Sequence, residues 1–305
     1  MIAEARVKVA RGIETNQGVA AAYAKRLQAL VQRAVEAYTK EALKDYEQRL
    51  QQRVAAGVVT IKDSAAALDA APTISGLTEA QADLLARAQI AAGLEARRVS
   101  WWFVRQLLRV IPRAQRKALE RAGVSKSIIR NRWSVPIIRG QFVAPTTAQQ
   151  MPAFVDWSTN LITKMTSSAI SRVQDEIAHG LDQGYSLSRL TARLYQVGGP
   201  AMDYERAKRV ALDQSCKLNQ FIQVENCKAL GITEGVWIHV PGMFTSRATH
   251  RAMHGQRFSL QTGMYDSEVD AYVFPAQLPY CRCIYRPVLP DEILENPSDT
   301  PLTTA

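Results

Sequence analysis

Two histidines and two cysteines stand close together towards the C-terminal end of the sequence, and both residue types bind soft and borderline metal ions. His250 and His254 lie in Ser246-Arg-Ala-Thr-His-Arg-Ala-Met-His-Gly-Gln-Arg-Phe258. They are four residues apart, so on a helix both imidazoles project from one face. Cys281 and Cys283 lie in Pro279-Tyr-Cys-Arg-Cys-Ile-Tyr-Arg-Pro-Val288, where one intervening residue puts both thiols on the same side of an extended strand. Together they predict a tetrahedral His₂Cys₂ donor set of the kind zinc takes, pinning two loops that have little apolar bulk of their own. Cys-x-Cys is less diagnostic than Cys-x-x-Cys, and the alternative reading is two buried thiols with hydrogen-bonded imidazoles.

Other chemistries find less to work with. A zinc peptidase needs glutamate beside the first histidine of His-Glu-x-x-His, and here Arg251 follows His250. Asp266, Glu268 and Asp270 alternate in a loop; they read either as a solvated edge or as the acids of a metal-dependent nuclease. Ser246 near His250 has no acidic third partner at motif spacing, and no Gly-rich loop ends in Lys-Ser/Thr to cradle phosphate. The expectation is a protein that is not an enzyme.

The elements that must position these residues are short. Val236-Trp-Ile-His-Val240, Arg257-Phe-Ser-Leu260, Ala271-Tyr-Val-Phe274 and Ile284-Tyr-Arg-Pro-Val288 are β-branched or aromatic runs between Gly and Pro, and they predict a small β-rich unit. Before Gly231 the texture is helical. Tyr23, Leu27, Leu30, Ala34, Tyr38, Ala42, Tyr46, Leu50 and Val54 recur at steps of three and four, as on one stripe of a helix over residues 18–56. A capping box at Thr78 and Gln81 opens a second helix towards Val110, which Pro112 is expected to end. Pro136, Pro145 and Pro152 predict an extended crossing before a helix capped by Asp156 and running to about Leu181. Gly184 and Ser186 punctuate before a further helix to Tyr195. Gly198-Gly-Pro200 reads as a turn, and Asp203 caps a helix from Tyr204 to about Leu230. The fold class is α+β: a predominantly helical N-terminal part with a small β-rich C-terminal unit.

The formal net charge is +10, and one segment holds it. Residues 97–139 carry twelve basic side chains against a single acid, Glu120. Among them Arg97, Arg98, Arg105, Arg109, Arg113, Arg116, Lys117, Arg121, Arg130 and Arg132 are candidates to meet a polyanion or an acidic protein face. Residues 113–133 read helix, turn, helix, a weak helix-turn-helix pattern, since basic residues surround the unit rather than marking its second helix. Trp101, Trp102, Phe103 and Trp133 are interleaved with the charges; they suit either stacking on bases or a core. Nothing resembles a signal peptide or an apolar span near 18 residues, which predicts a soluble protein without a membrane partner. Four cysteines in 305 residues predict thiols in a reducing cytoplasm.

Residues 203–289 resemble the phage head morphogenesis family, the Mu F-like minor head proteins. The similarity is carried by Arg206-Ala-Lys-Arg-Val-Ala-Leu-Asp-Gln-Ser-Cys-Lys-Leu-Asn219, by Leu230-Gly-Ile-Thr-Glu-Gly-Val-Trp237, by the histidine segment and by the closing Cys-Arg-Cys segment, in that order. Two departures stand out. Met243-Phe-Thr-Ser246 replaces a charged lead-in, leaving Arg247, and His254 stands where many members carry Asp. The resemblance implies a minor capsid protein of a tailed phage, inside the capsid in the virion and in the host cytoplasm during assembly. It also implies association with the portal protein and genomic double-stranded DNA, contact with major capsid or scaffold protein, and a part in head assembly and DNA ejection. The division expected is a helical, basic portal- and DNA-contacting region at 1–150, a head-morphogenesis domain at 151–290 and a flexible tail at 291–305.

Overall fold

A computed structural model describes residues 8–62, 79–138, 140–197, 204–241 and 247–295. Thr78, Arg139, Asp203, Ser246, the turn at 198–200, the lead-in at 243–245 and the tail from 296 lie outside the described residues.

The chain is α+β, as its texture implies. Helices α1 (Gln17–Ala55), α2 (Glu79–Arg121), α3 (Lys126–Arg132), α4 (Pro145–Gln183), α5 (Leu187–Val197) and α6 (Tyr204–Ala229) precede most of the strands. A hairpin of β1 (Val135–Ile138) and β2 (Gln141–Val143) interrupts them. After α6 come β3 (Glu234–Ile238), α7 (Ala248–Ala252), β4 (Arg257–Ser259), β5 (Met264–Asp266), β6 (Ala271–Val273), β7 (Ile284–Pro287) and a 3-10 turn at Asp291–Ile293. The stripe expected on α1 is the buried one: Tyr23, Leu27, Leu30, Tyr38, Tyr46 and Leu50 are all buried.

Two compact units divide the chain, and each is assembled from separated stretches rather than parted at residue 150. One holds residues 1–23, 101–155 and 208–305, the other 24–100 and 156–207. The second is helical. In it the Tyr46 hydroxyl donates to the Tyr185 carbonyl at 2.8 Å, and Arg193 and Glu176 pair.

The first unit carries the candidate metal ligands and the three alternating acids. Its antiparallel sheet runs β4-β3-β7, with Val236 opposite Arg257 on one side and Ile238 opposite Ile284 on the other. A separate hairpin, β5–β6, lies beside it in sequence. Trp237, Tyr285, Leu260, Ile232 and Cys227 are fully buried at the centre, joined by Leu119 and Ile129 from the basic helices and by Val124 and Trp133 that flank α3. Burying an aromatic side chain of this size contributes about 3 kcal/mol. Gly235 is required by this packing, since a Cβ there would lie 2.7 Å from the Tyr285 ring and 3.2 Å from Phe258.

Several boundaries differ from those expected. Proline at 112 does not end α2, and α4 already starts at Pro145 and runs through Pro152, so there is no extended crossing there. A proline in a helix interior costs about 3 kcal/mol. Around Pro112 that cost is outweighed by Leu107, Leu108, Ile111 and Leu119; around Pro152 by Met151 and Val155, all buried. The start of α4 is fixed by buried Asn226, whose Oδ1 accepts from the Ala144 amide and the Thr147 hydroxyl, both at 3.0 Å. The tail is packed at its beginning: Ile293 and Leu294 are buried, and Leu294 bridges to Val124. Among the described residues no helix is long and apolar enough to cross a membrane.

Candidate metal centre

The Cys-x-Cys segment is held from both sides. Tyr280 adopts φ +60°, and its amide donates to Asp213 Oδ1 on α6 at 2.7 Å. The Arg247 guanidinium donates to the Pro279 carbonyl at 3.3 Å. Asp213 is itself tied to Lys217 one helical turn on, at 2.6 Å. These contacts turn the chain at 278–281 so that Cys281 and then Cys283, at the entry to β7, point inward and are buried.

His250 comes from the five-residue α7 and is buried. Its imidazole packs edge-on against Trp237, with ring centroids 5.2 Å apart. Nδ1 lies 3.3 Å from Cys281 Sγ and 3.7 Å from Cys283 Sγ, while Nε2 lies 3.1 Å from Asp266 Oδ2. The ligating atoms of His250, Cys281 and Cys283 are all within 4.8 Å of one another, and this buried group could hold a metal ion.

His254 is not part of it. Both histidines would share a face only if the helix continued, but α7 stops at Ala252 and Gly255 takes φ +80°. The His254 side chain is therefore exposed, and its Nδ1 accepts the His239 amide at 3.1 Å. The imidazole that does approach is that of His239, whose Nδ1 lies 3.6 Å from Cys283 Sγ. The β3–β7 register explains it: with Ile238 opposite Ile284, the next position of β3 falls beside Cys283. Nor is Asp266 a solvated edge. It is fully buried, and Glu268 donates its amide to it at 3.0 Å; Asp270, by contrast, accepts from the exposed Tyr265 hydroxyl at 2.6 Å.

The electrostatics follow from this crowding. The hydrogen bond between the two thiols drives Cys281 up and Cys283 down to about 7, so that Cys283 is the first of the pair to ionise. The Val240 amide and the Trp237 indole also favour the Cys283 thiolate. Burial opposes charge on His250, but the Cys281 hydrogen bond and the charges of Cys281 and Asp266 outweigh it and raise its pKa. Burial likewise opposes ionisation of Asp266, yet the Glu268 amide, the Thr249 hydroxyl and His250 hold it below the ordinary carboxylate range. His239 is lowered by burial and by the nearby His250 and Arg251.

Thiol, imidazole and carboxylate in line is also the connectivity of a cysteine nucleophile with its base and orienting acid. A nucleophile has to be reached by substrate, however. Cys281 and Cys283 are 5% and 2% exposed, and both face one imidazole nitrogen. Two thiols and an imidazole oriented by a carboxylate match zinc's preferred donors and their outer shell better. No protein-family model, no curated protein and no solved structure matches this chain.

The basic candidates divide between the units. Arg97 pairs with Asp156 at 2.7 Å and Arg98 with Glu95 at 3.8 Å, both in the helical unit. In the other unit Arg105, Arg109, Arg113, Arg116, Lys117, Arg121, Arg130 and Arg132 are all exposed. Steps of four, four and three put the first four of these on one stripe of α2. Arg116 faces Glu120 at 3.7 Å; the other seven pair with no described acid. The turn at 122–125 joins α2 to α3, but α3 has only seven residues. The aromatics are mostly structural. Phe103 stacks on Tyr23 at 3.9 Å, and buried Trp133 donates Nε1 to the Asn226 carbonyl at 3.0 Å. Arg105 lies over Trp101, 5.9 Å from the ring centroid.

Proposed function

We propose that this chain is a non-catalytic minor structural component of a tailed-phage head. In this reading it acts inside the capsid, where it binds the portal protein and packaged double-stranded DNA during assembly and ejection. Zinc held by His250, Cys281 and Cys283 fastens the C-terminal sheet. The exposed arginine stripe of α2 rests against DNA phosphates without reading sequence.

The observation that carries this reading is the convergence of the four stretches behind the resemblance. Asp213 of the first holds the turn of the fourth; Trp237 of the second packs on His250 of the third; and His250 faces both thiols of the fourth. Other residues of the first stretch are used too. Gln214 accepts the Tyr23 hydroxyl at 3.0 Å, and Asn219 donates to the Ile13 carbonyl at 3.0 Å. Side chains spaced far apart in sequence thus serve one compact clasp, as a family-specific scaffold requires.

The test is co-expression with the cognate portal subunit. The chain should co-elute with the portal ring and be found in purified DNA-filled heads. Portal rings that never retain it, together with heads that lack it, overturn the proposal.

A further inference from the structure

We propose that His239 is the fourth ligand of the metal centre, closing a His₂Cys₂ site that also contains His250, Cys281 and Cys283. The inference rests on zinc binding at the thiol pair. It adds that the site is closed by protein, and so fastens the sheet rather than presenting an open position to substrate.

The distances fit. With bonds of about 2.3 Å to sulfur and about 2.0 Å to nitrogen, a tetrahedral ion keeps sulfur and nitrogen about 3.5 Å apart. Three of the four sulfur–nitrogen edges of such a site are 3.3, 3.6 and 3.7 Å here, each within a few tenths of that value; His239 stands against Cys283 and outside the trio whose donor atoms are all within 4.8 Å of one another, so it has to swing inward to complete the shell. One of them belongs to His239, and it uses Nδ1, the same ring atom that His250 turns towards the thiols.

The positions fit as well. His239 follows directly on β3 and lies beside Cys283 at the entry to β7, His250 comes from α7, and Cys281 from the turn before β7. Ligands drawn from three segments around one point are what a structural ion needs in order to fasten them. His254 has a different part. By accepting the His239 amide it fixes the backbone from which that ligand projects, which makes it a positioning residue.

Cobalt(II) supplies the test, read in the full chain by its visible spectrum and by competition with a chromophoric chelator. The native protein should give the intense d–d bands of a tetrahedral S₂N₂ ion. In His239→Ala the affinity should fall by at least about tenfold, with weaker d–d bands as water enters the coordination shell. His239→Cys should bind tightly and gain sulfur-to-cobalt charge-transfer intensity, which separates loss of a ligand from loss of the fold. His254→Ala should keep the native spectrum. A His239→Ala protein with native affinity and spectrum, or a His239→Cys protein with no added charge-transfer band, removes His239 from the site. If the native chain takes up neither cobalt nor zinc, the zinc reading fails and this inference fails with it. Metal retained in His239→Ala but lost in Cys281→Ser overturns only the fourth ligand.

Discussion

Asp266 Oδ2 lies 3.1 Å from Nε2 of His250, and both side chains are buried. The carboxylate fixes the tautomer: Nε2 carries the proton, and the lone pair of Nδ1 is left facing the two thiols. Carboxylates that orient metal-bound histidines in this way are worth about 10- to 100-fold in metal affinity. Asp266→Ala should therefore weaken zinc binding by that factor in a chelator competition, and Asp266→Asn, which keeps an acceptor, by less. Equal affinity in native and Asp266→Ala protein would show that the pair has no part in orienting a ligand.

The thiols and His250 were legible in the sequence because each spacing is local, while the rest of the site depends on relations that are not. His239 reaches Cys283 through strand pairing across 44 residues of chain. The four-residue spacing of His250 and His254 implies a shared helix face, but the helix stops at Ala252 and Gly255 takes a positive φ. Asp266 looked solvated because its neighbours Glu268 and Asp270 are; only the fold turns this one acid inward. Helix α1 follows from periodicity, the later helices from caps and breakers, and four of the C-terminal strands from β-branched or aromatic runs between Gly and Pro. Pro112 and Pro152 misled for a different reason: a proline rule states a local cost, and burial on both sides of each proline outweighs it.

Asn226 lies outside the metal centre but ties three elements together. Its Oδ1 serves Ala144 and Thr147, its Nδ2 donates to Gln115 Oε1 at 3.0 Å, and its carbonyl accepts Trp133 Nε1. Asn226→Ala would leave the Ala144 amide and the Gln115 carbonyl oxygen buried without partners, at about 1–3 kcal/mol each. A fall of about 2–5 kcal/mol in urea-unfolding stability with an unchanged m-value is expected. A loss under about 1 kcal/mol would mean that the network relaxes around the gap.

The arginine stripe makes a quantitative statement about salt. If Arg105, Arg109 and Arg113 each neutralise a phosphate, log K for duplex DNA falls with log salt, and removing them flattens the slope by about 0.9 per contact. The triple alanine variant should lose a slope of about 3, equally on unrelated DNA sequences. Binding that is independent of salt, or that follows base sequence, is incompatible with backbone contact. Portal capture that survives nuclease but fails in the triple variant would assign the stripe to an acidic protein face instead.

Cys227 provides a pH test away from the metal centre. It is fully buried, and burial pushes its thiol up to about 11, against the hydrogen bonds from Tyr285 and Gln115. In the unfolded chain the thiol ionises near its ordinary value of about 8.5–9. Between that pH and 11 the unfolded state releases a proton that the native state keeps, so stability falls as pH rises. The contribution is fully present below about pH 8.5, and its loss approaches about 1.4 kcal/mol per pH unit above that. Urea midpoints measured from pH 8 to 11 should decline less steeply in Cys227→Ala than in the native chain, the difference between the two slopes isolating this thiol from the tyrosines. Native protein at pH 8 should also leave Cys227 unmodified by iodoacetamide until urea unfolds it, since only about one thiol in a thousand is ionised there. Alkylation of Cys227 in the folded chain at that pH, or parallel pH slopes in the two proteins, would contradict the burial on which the shift depends.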